Sequence, residues 1–73
     1  MKQTVHRGYV VTAISREHAP GEWRSRWSAV KAVYATEARL KAADVAEPYR
    51  TEPEADEAGL REGCAWVDSF GEE

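Results

Sequence analysis

Seventy-three residues are enough for one domain and a thin core, since a chain of this length buries only about 60% of its unfolded surface. An apolar fraction of 42% with 10% aromatics excludes a disordered chain. A single cysteine excludes an internal disulfide, and no Cys/His cluster has zinc spacing, so neither a metal nor a cofactor is expected. The N-terminus, Met1 to Arg7, has no signal-peptide apolar run, and no stretch is long enough to cross a bilayer, which makes the cytoplasm the expected location.

The net charge of −3 is unevenly placed. Residues 1 to 50 hold nine Lys or Arg against five Asp or Glu, whereas residues 51 to 73 hold Arg61 against eight acids. Such an asymmetry suits either a basic surface with an acidic back or two halves that attract each other, and the second reading is the simpler.

Val5 to Ile14, VHRGYVVTAI, is rich in β-branched and aromatic residues and predicts a first strand. Tyr9, Val11 and Ala13 share one face of it, Val10, Thr12 and Ile14 the other. Ser15 to Glu22 contains Pro20-Gly21 and predicts a turn. Trp23 to Val33 predicts the second strand. There Trp23, Ser25, Trp27 and Ala29 alternate with Arg24, Arg26, Ser28 and Val30, and a thin core favours burying the tryptophans. Tyr34 to Asp44 is ambiguous: its residues favour helix but are too few to form one alone, so a connection is expected. Val45 to Arg50 predicts a short third strand, held to a sheet edge by Pro48.

The last third carries the clearest signal. Thr51 and Glu54 form an S/T-x-x-E capping box, Pro53 fits the first turn, and Glu52, Glu54, Asp56 and Glu57 put negative charge at the positive end of the helix dipole. At helical spacing Ala55, Gly59, Leu60, Gly63, Cys64, Trp66, Val67 and Phe70 form one stripe, opposite Glu54, Ala58, Arg61, Glu62, Ala65 and Ser69. Gly59 and Gly63 are poor helix formers, and their use on the buried stripe is close approach to another backbone. Gly71 supplies a stop. The whole is expected to be a single α+β domain spanning residues 1 to 73, a three-stranded antiparallel meander with a C-terminal amphipathic helix on one face.

Arg7-Gly8-Tyr9 together with Thr51-Glu52-Pro53-Glu54-Ala55, Gly59-Leu60 and Trp66-Val67-Asp68 resembles short uncharacterised bacterial proteins of β-β-β-α type. Their topology is similar to a double-stranded-RNA-binding domain lacking its first helix. The resemblance implies a fold and carries no function, because the basic loop and first-helix contacts of such binders have no counterpart here.

No catalytic constellation is visible. His6 and His18 have no partner at a telling spacing, and Cys64 lies on the apolar stripe as a small core residue. Two functional classes follow. The first is a small non-enzymatic protein-interaction or self-association module, as a homodimer or with another protein. The second is a nucleic-acid-binding module using an open basic and aromatic sheet face, weakened by an overall acidic chain. The surface residues expected to serve either are Tyr9, Arg24, Arg26, Trp27 and Lys31.

Overall fold

The computed structural model describes residues 1 to 31 and 40 to 70, with nothing to be said of the side chains of Leu40 and Phe70. Arg7 and Gly8 decide where the first strand ends. Both have positive φ, 53° and 82°, which is the two-residue turn whose twist suits a tight hairpin. The segment expected to be one strand from Val5 to Ile14 is therefore two: β1, Lys2–His6, and β2, Tyr9–Ala19, paired antiparallel from Lys2 opposite Ala13 to His6 opposite Tyr9. A left-handed backbone is costly for arginine, about 1 to 2 kcal/mol. Its guanidinium is tied to the helix by Nε, 2.8 Å from Asp68 Oδ1.

Pro20-Gly21 is the turn expected, but a shorter one. β2 runs on to Ala19 and β3 spans Glu22–Lys31, leaving only the Pro-Gly pair, with Gly21 at φ 75° as a type II turn requires. Type II turns splay hairpin strands, and the β2/β3 register shifts between Glu17 and Ala19, leaving His18 unmatched as a bulge.

The next strand also lies elsewhere than expected. β4 is Leu40–Asp44, inside the ambiguous stretch, and pairs antiparallel with β3 from Arg26 opposite Asp44 to Val30 opposite Leu40. Residues 32 to 39, which include the end of the expected second strand and most of that connection, lie outside the described residues. Val45 to Arg50 forms no strand, because Pro48 cannot support a ladder. Only Tyr49 bonds to Trp23, in both directions at 2.7 and 2.8 Å, and the Val45 amide donates to the Ser25 carbonyl. The result is an α+β fold whose antiparallel sheet has four strands in the order β1-β2-β3-β4 rather than three, with one helix, α1, Glu52–Phe70.

Thr51 caps the helix as expected: its hydroxyl accepts from the Glu54 amide at 3.3 Å, and its carbonyl accepts from the Ala55 amide. Helix α1 lies on the face carrying Tyr9, Val11, Ala13, Trp27 and Ala29, all buried, together with Val45, Ala55, Ala58 and Val67. Ala58 was expected on the outer face and is buried, while Leu60 and Cys64 are only half-buried, so the buried stripe is rotated toward Ala58. Trp66 meets Tyr9 edge-on and Trp27 at a tilt, with both ring pairs 6.0 Å apart, completing an aromatic end to the core.

The two helical glycines set the distance between layers. A Cβ on Gly59 would stand 2.8 Å from the Ala13 Cβ and 2.6 Å from the Ser25 hydroxyl, and one on Gly63 would stand 2.5 Å from Val11 Cγ1. Alanine normally favours a helix over glycine by about 1 kcal/mol. At Gly59 we expect the reverse: Gly59→Ala should destabilise by about 1 to 3 kcal/mol, because the Ala13 Cβ is fixed to the backbone and cannot turn aside. Chemical denaturation would measure it, and a stabilised variant would contradict the close approach.

Candidate functional site

Since the helix takes one face of the sheet, the other is open among the described residues, and strand alternation decides what it shows. From β1 come Gln3 and Val5; from β2 Val10, Thr12, Ile14 and Arg16; from β3 Glu22, Arg24, Arg26, Ser28 and Val30; from β4 Ala42 and Asp44. Val5, Val10 and Val30 stand in one cross-strand row, and Val5, Ile14 and Val30 are 68%, 47% and 37% exposed. The other end of the face is charged. Ile14, Arg16, His18, Arg24, Ser25, Arg26, Asp44 and Val45 line an open groove of about 520 Å³ there.

The cations in this groove are not equivalent. Arg24 Nε donates to Glu22 at 3.2 Å and its Nη1 to the Ala46 carbonyl, and Arg26 donates to Asp44 at 2.9 Å. Arg16 and His18 have no hydrogen-bond or ion-pair partner among the described residues. Two of the three guanidiniums are thus already neutralised within the face.

Of the five residues expected to form one interaction surface, Arg24 and Arg26 are on the open face and the other three are not. Tyr9 and Trp27 are each 4% exposed, beneath the helix. Lys31 alternates to the same side as Tyr9 and holds its ammonium 5.1 Å from the tyrosine ring. The correction is physical: with few large aliphatics available, the aromatics fill the core, and the open face keeps valines and arginines instead. Val30 belongs to this face, and so do Val5, Ile14 and Arg16, which were not singled out, although the alternation that placed Arg24 and Arg26 together also joins them once the first hairpin is recognised.

The helix side carries two polar clusters. Asp56, turned inward and 5% exposed, accepts from the Ser15 hydroxyl at 2.5 Å, and its other oxygen lies 3.3 Å from the Met1 ammonium, which also meets Glu52. These carboxylates hold the Met1 ammonium above its ordinary pKa, Asp56 most strongly. At the far end His6 Nε2 lies 2.9 Å from Asp68 Oδ1, beside Arg7. The hydrogen bond to His6, aided by the charges of His6 and Arg7, holds the Asp68 carboxyl below its usual range.

Burial pushes the Cys64 thiol up, and the Asp68 charge pushes it further, the opposite of what a nucleophile needs. Among the described residues no group of three or more His, Cys, Asp or Glu is placed to hold a metal ion, and no helix is long and apolar enough to cross a membrane. No family model, curated protein or solved structure matches the chain.

Two outcomes follow from these shifts. Because the Asp68 carboxyl is lowered on folding, the unfolded chain takes up its proton first. Its contribution to stability is full above the ordinary carboxylate range near about pH 4 and is lost as the pH falls through that range and below. Thermal melts from pH 6 to pH 3 should therefore show a smaller loss for Asp68→Asn than for the native chain. At pH 8, where a raised thiol is scarcely ionised, Cys64 should react with iodoacetamide more slowly in the folded protein than in denaturant; equal rates would contradict its burial.

Proposed function

We propose that this is a small non-enzymatic protein-interaction module that docks a protein partner, or a second copy of itself, on the open face of the sheet. The observation that carries this reading is the composition of that face: a row of valines, Val5 and Val30 exposed and Val10 half-buried, at one end, and at the other Ile14 among arginines of which two are already balanced by Glu22 and Asp44. Apolar residues gathered on one side of a small fold, with a polar rim, have the anatomy of a protein-docking patch.

Nucleic acid suits the face less well. All three tryptophans lie on the helix side, so no stacking platform accompanies the arginines, and phosphates would have to displace Glu22 and Asp44. The chain's net charge of −3 adds general repulsion.

Light scattering at micromolar protein in low and high salt, alone and with candidate partners, tests the reading. Association is expected to survive salt, to be lost in the Val5→Asp/Val30→Asp double variant, and to persist in Arg24→Ala/Arg26→Ala. If instead the arginine variant abolishes association, and affinity falls by about 10³-fold or more between roughly 50 and 200 mM salt, phosphate recognition replaces it.

A further inference from the structure

β1 covers only part of its neighbour. It pairs with β2 from Tyr9 to Ala13, while β2 continues to Ala19, so from Ile14 onward the outer side of β2 has no strand beside it among the described residues. The Met1 ammonium does not extend along this edge; it bonds to Glu52 and Asp56 on the helix side. An exposed strand edge is a template for another extended chain. The side chains on the uncovered length are what set this edge apart. Ile14, Arg16 and His18 all line the groove of the open face, and Arg16 is the one guanidinium there without a partner among the described residues.

We propose that the Ile14–Ala19 edge of β2 captures an extended peptide segment of a partner protein, added in line with β1 and carrying acidic side chains at alternate positions. The proposal rests on the protein-docking reading and names the partner's chemistry. Backbone bonds to the edge supply affinity in any sequence. Specificity comes from the alternate residues, because a strand lying there turns every second side chain toward the groove. Those side chains meet Ile14 and then Arg16, before the bulge at His18 interrupts the alternation, so a carboxylate following an apolar residue complements the site. On the other side the strand passes Ser15, whose hydroxyl is already committed to Asp56, and Glu17, whose carboxylate accepts from the Gly21 amide. That side offers no free cation, so the acidic preference is confined to alternate positions.

A second copy fits this edge poorly. Two β2 edges can share most of this short length only by antiparallel pairing centred near Arg16 or Glu17, which sets identical charges opposite each other. A nucleic acid would find one unpaired guanidinium and no exposed aromatic along the edge, and it has no backbone amides to pair with.

The probe is a fluorescently labelled octapeptide of alternating threonine and glutamate, titrated into the full chain. Controls are the same peptide with lysine for glutamate and one N-methylated at alternate amides. The expected result is saturable binding of the glutamate peptide, with amide shifts confined to residues 14 to 19 by NMR, and no binding of either control. Arg16→Glu should weaken capture about tenfold or more. Val5→Asp/Val30→Asp should leave it unchanged, which separates failure of this edge from failure of the apolar face. Equal binding of the lysine peptide, indifference to N-methylation or to Arg16→Glu, or tighter binding of a single-stranded RNA oligonucleotide at the same residues would overturn the proposal.

Discussion

Everything in this fold depends on how near the helix comes to β2. Gly59 and Gly63 present bare backbone toward Ala13 and Val11, and the facing residues are correspondingly small: Ala13, Ser15, Ser25 and Ala29 on the sheet, Ala55 and Ala58 on the helix. Close layers gain dispersion contacts over a short distance but bury little apolar area per residue. The large side chains are displaced to one end, where Tyr9, Trp27 and Trp66 stack and Val67 closes the base. Val11 and Val67 are the largest side chains wholly removed from solvent, a small apolar yield for a domain that must offset the entropy of ordering its chain.

A thin core leaves β1 poorly held by burial, and charge takes over that work. Four of its five residues are exposed, yet polar contacts tie both ends of this edge to the helix: Met1 to Asp56 and Glu52, Lys2 to Glu57, His6 and Arg7 to Asp68. Most are solvent-exposed and individually weak. Asp56 differs, because removing a partner from a buried carboxylate leaves its desolvation uncompensated. The attraction between a basic N-terminal half and an acidic C-terminal third, visible as a composition bias, is in the structure a set of contacts between β1 and α1.

The helix was legible because its signals are local: a cap, a dipole-matched first turn, a stripe at 3.6-residue spacing. The α+β class with an antiparallel sheet was legible from the alternation around Trp23 and Trp27, which also put the tryptophans beneath the helix and the arginines outside. Strand number was not. Arg7-Gly8 lacks the Asn or Asp that announces a tight hairpin, and the turn is held in part by Asp68, far away in the sequence, where no local rule can see it. β4 was hidden for a related reason: Leu-Lys-Ala-Ala-Asp has weak strand propensity, and it pairs because β3 offers it an edge. Tyr9, Trp27 and Lys31 lie on the helix side, apart from Arg24 and Arg26, because a thin core takes the aromatics. Asp56 was read as a dipole partner, although its spacing to Leu60, Gly63 and Val67 already placed it on the inner half of the helix.

The open face follows from the same economy of size. Had Val5, Val10, Ile14 and Val30 been spent on the core, the layers could not have come so close. Placed outside, they leave the sheet with one apolar surface more than the helix can cover. The charged end of that face is restrained differently, since Glu22 and Asp44 neutralise Arg24 and Arg26 and so suppress indiscriminate attraction to polyanions. Arg16 escapes that neutralisation where β2 outruns β1. There, among the described residues, an uncovered backbone edge and an unpaired guanidinium occur on the same few residues, the combination by which a strand edge could prefer one extended sequence over another.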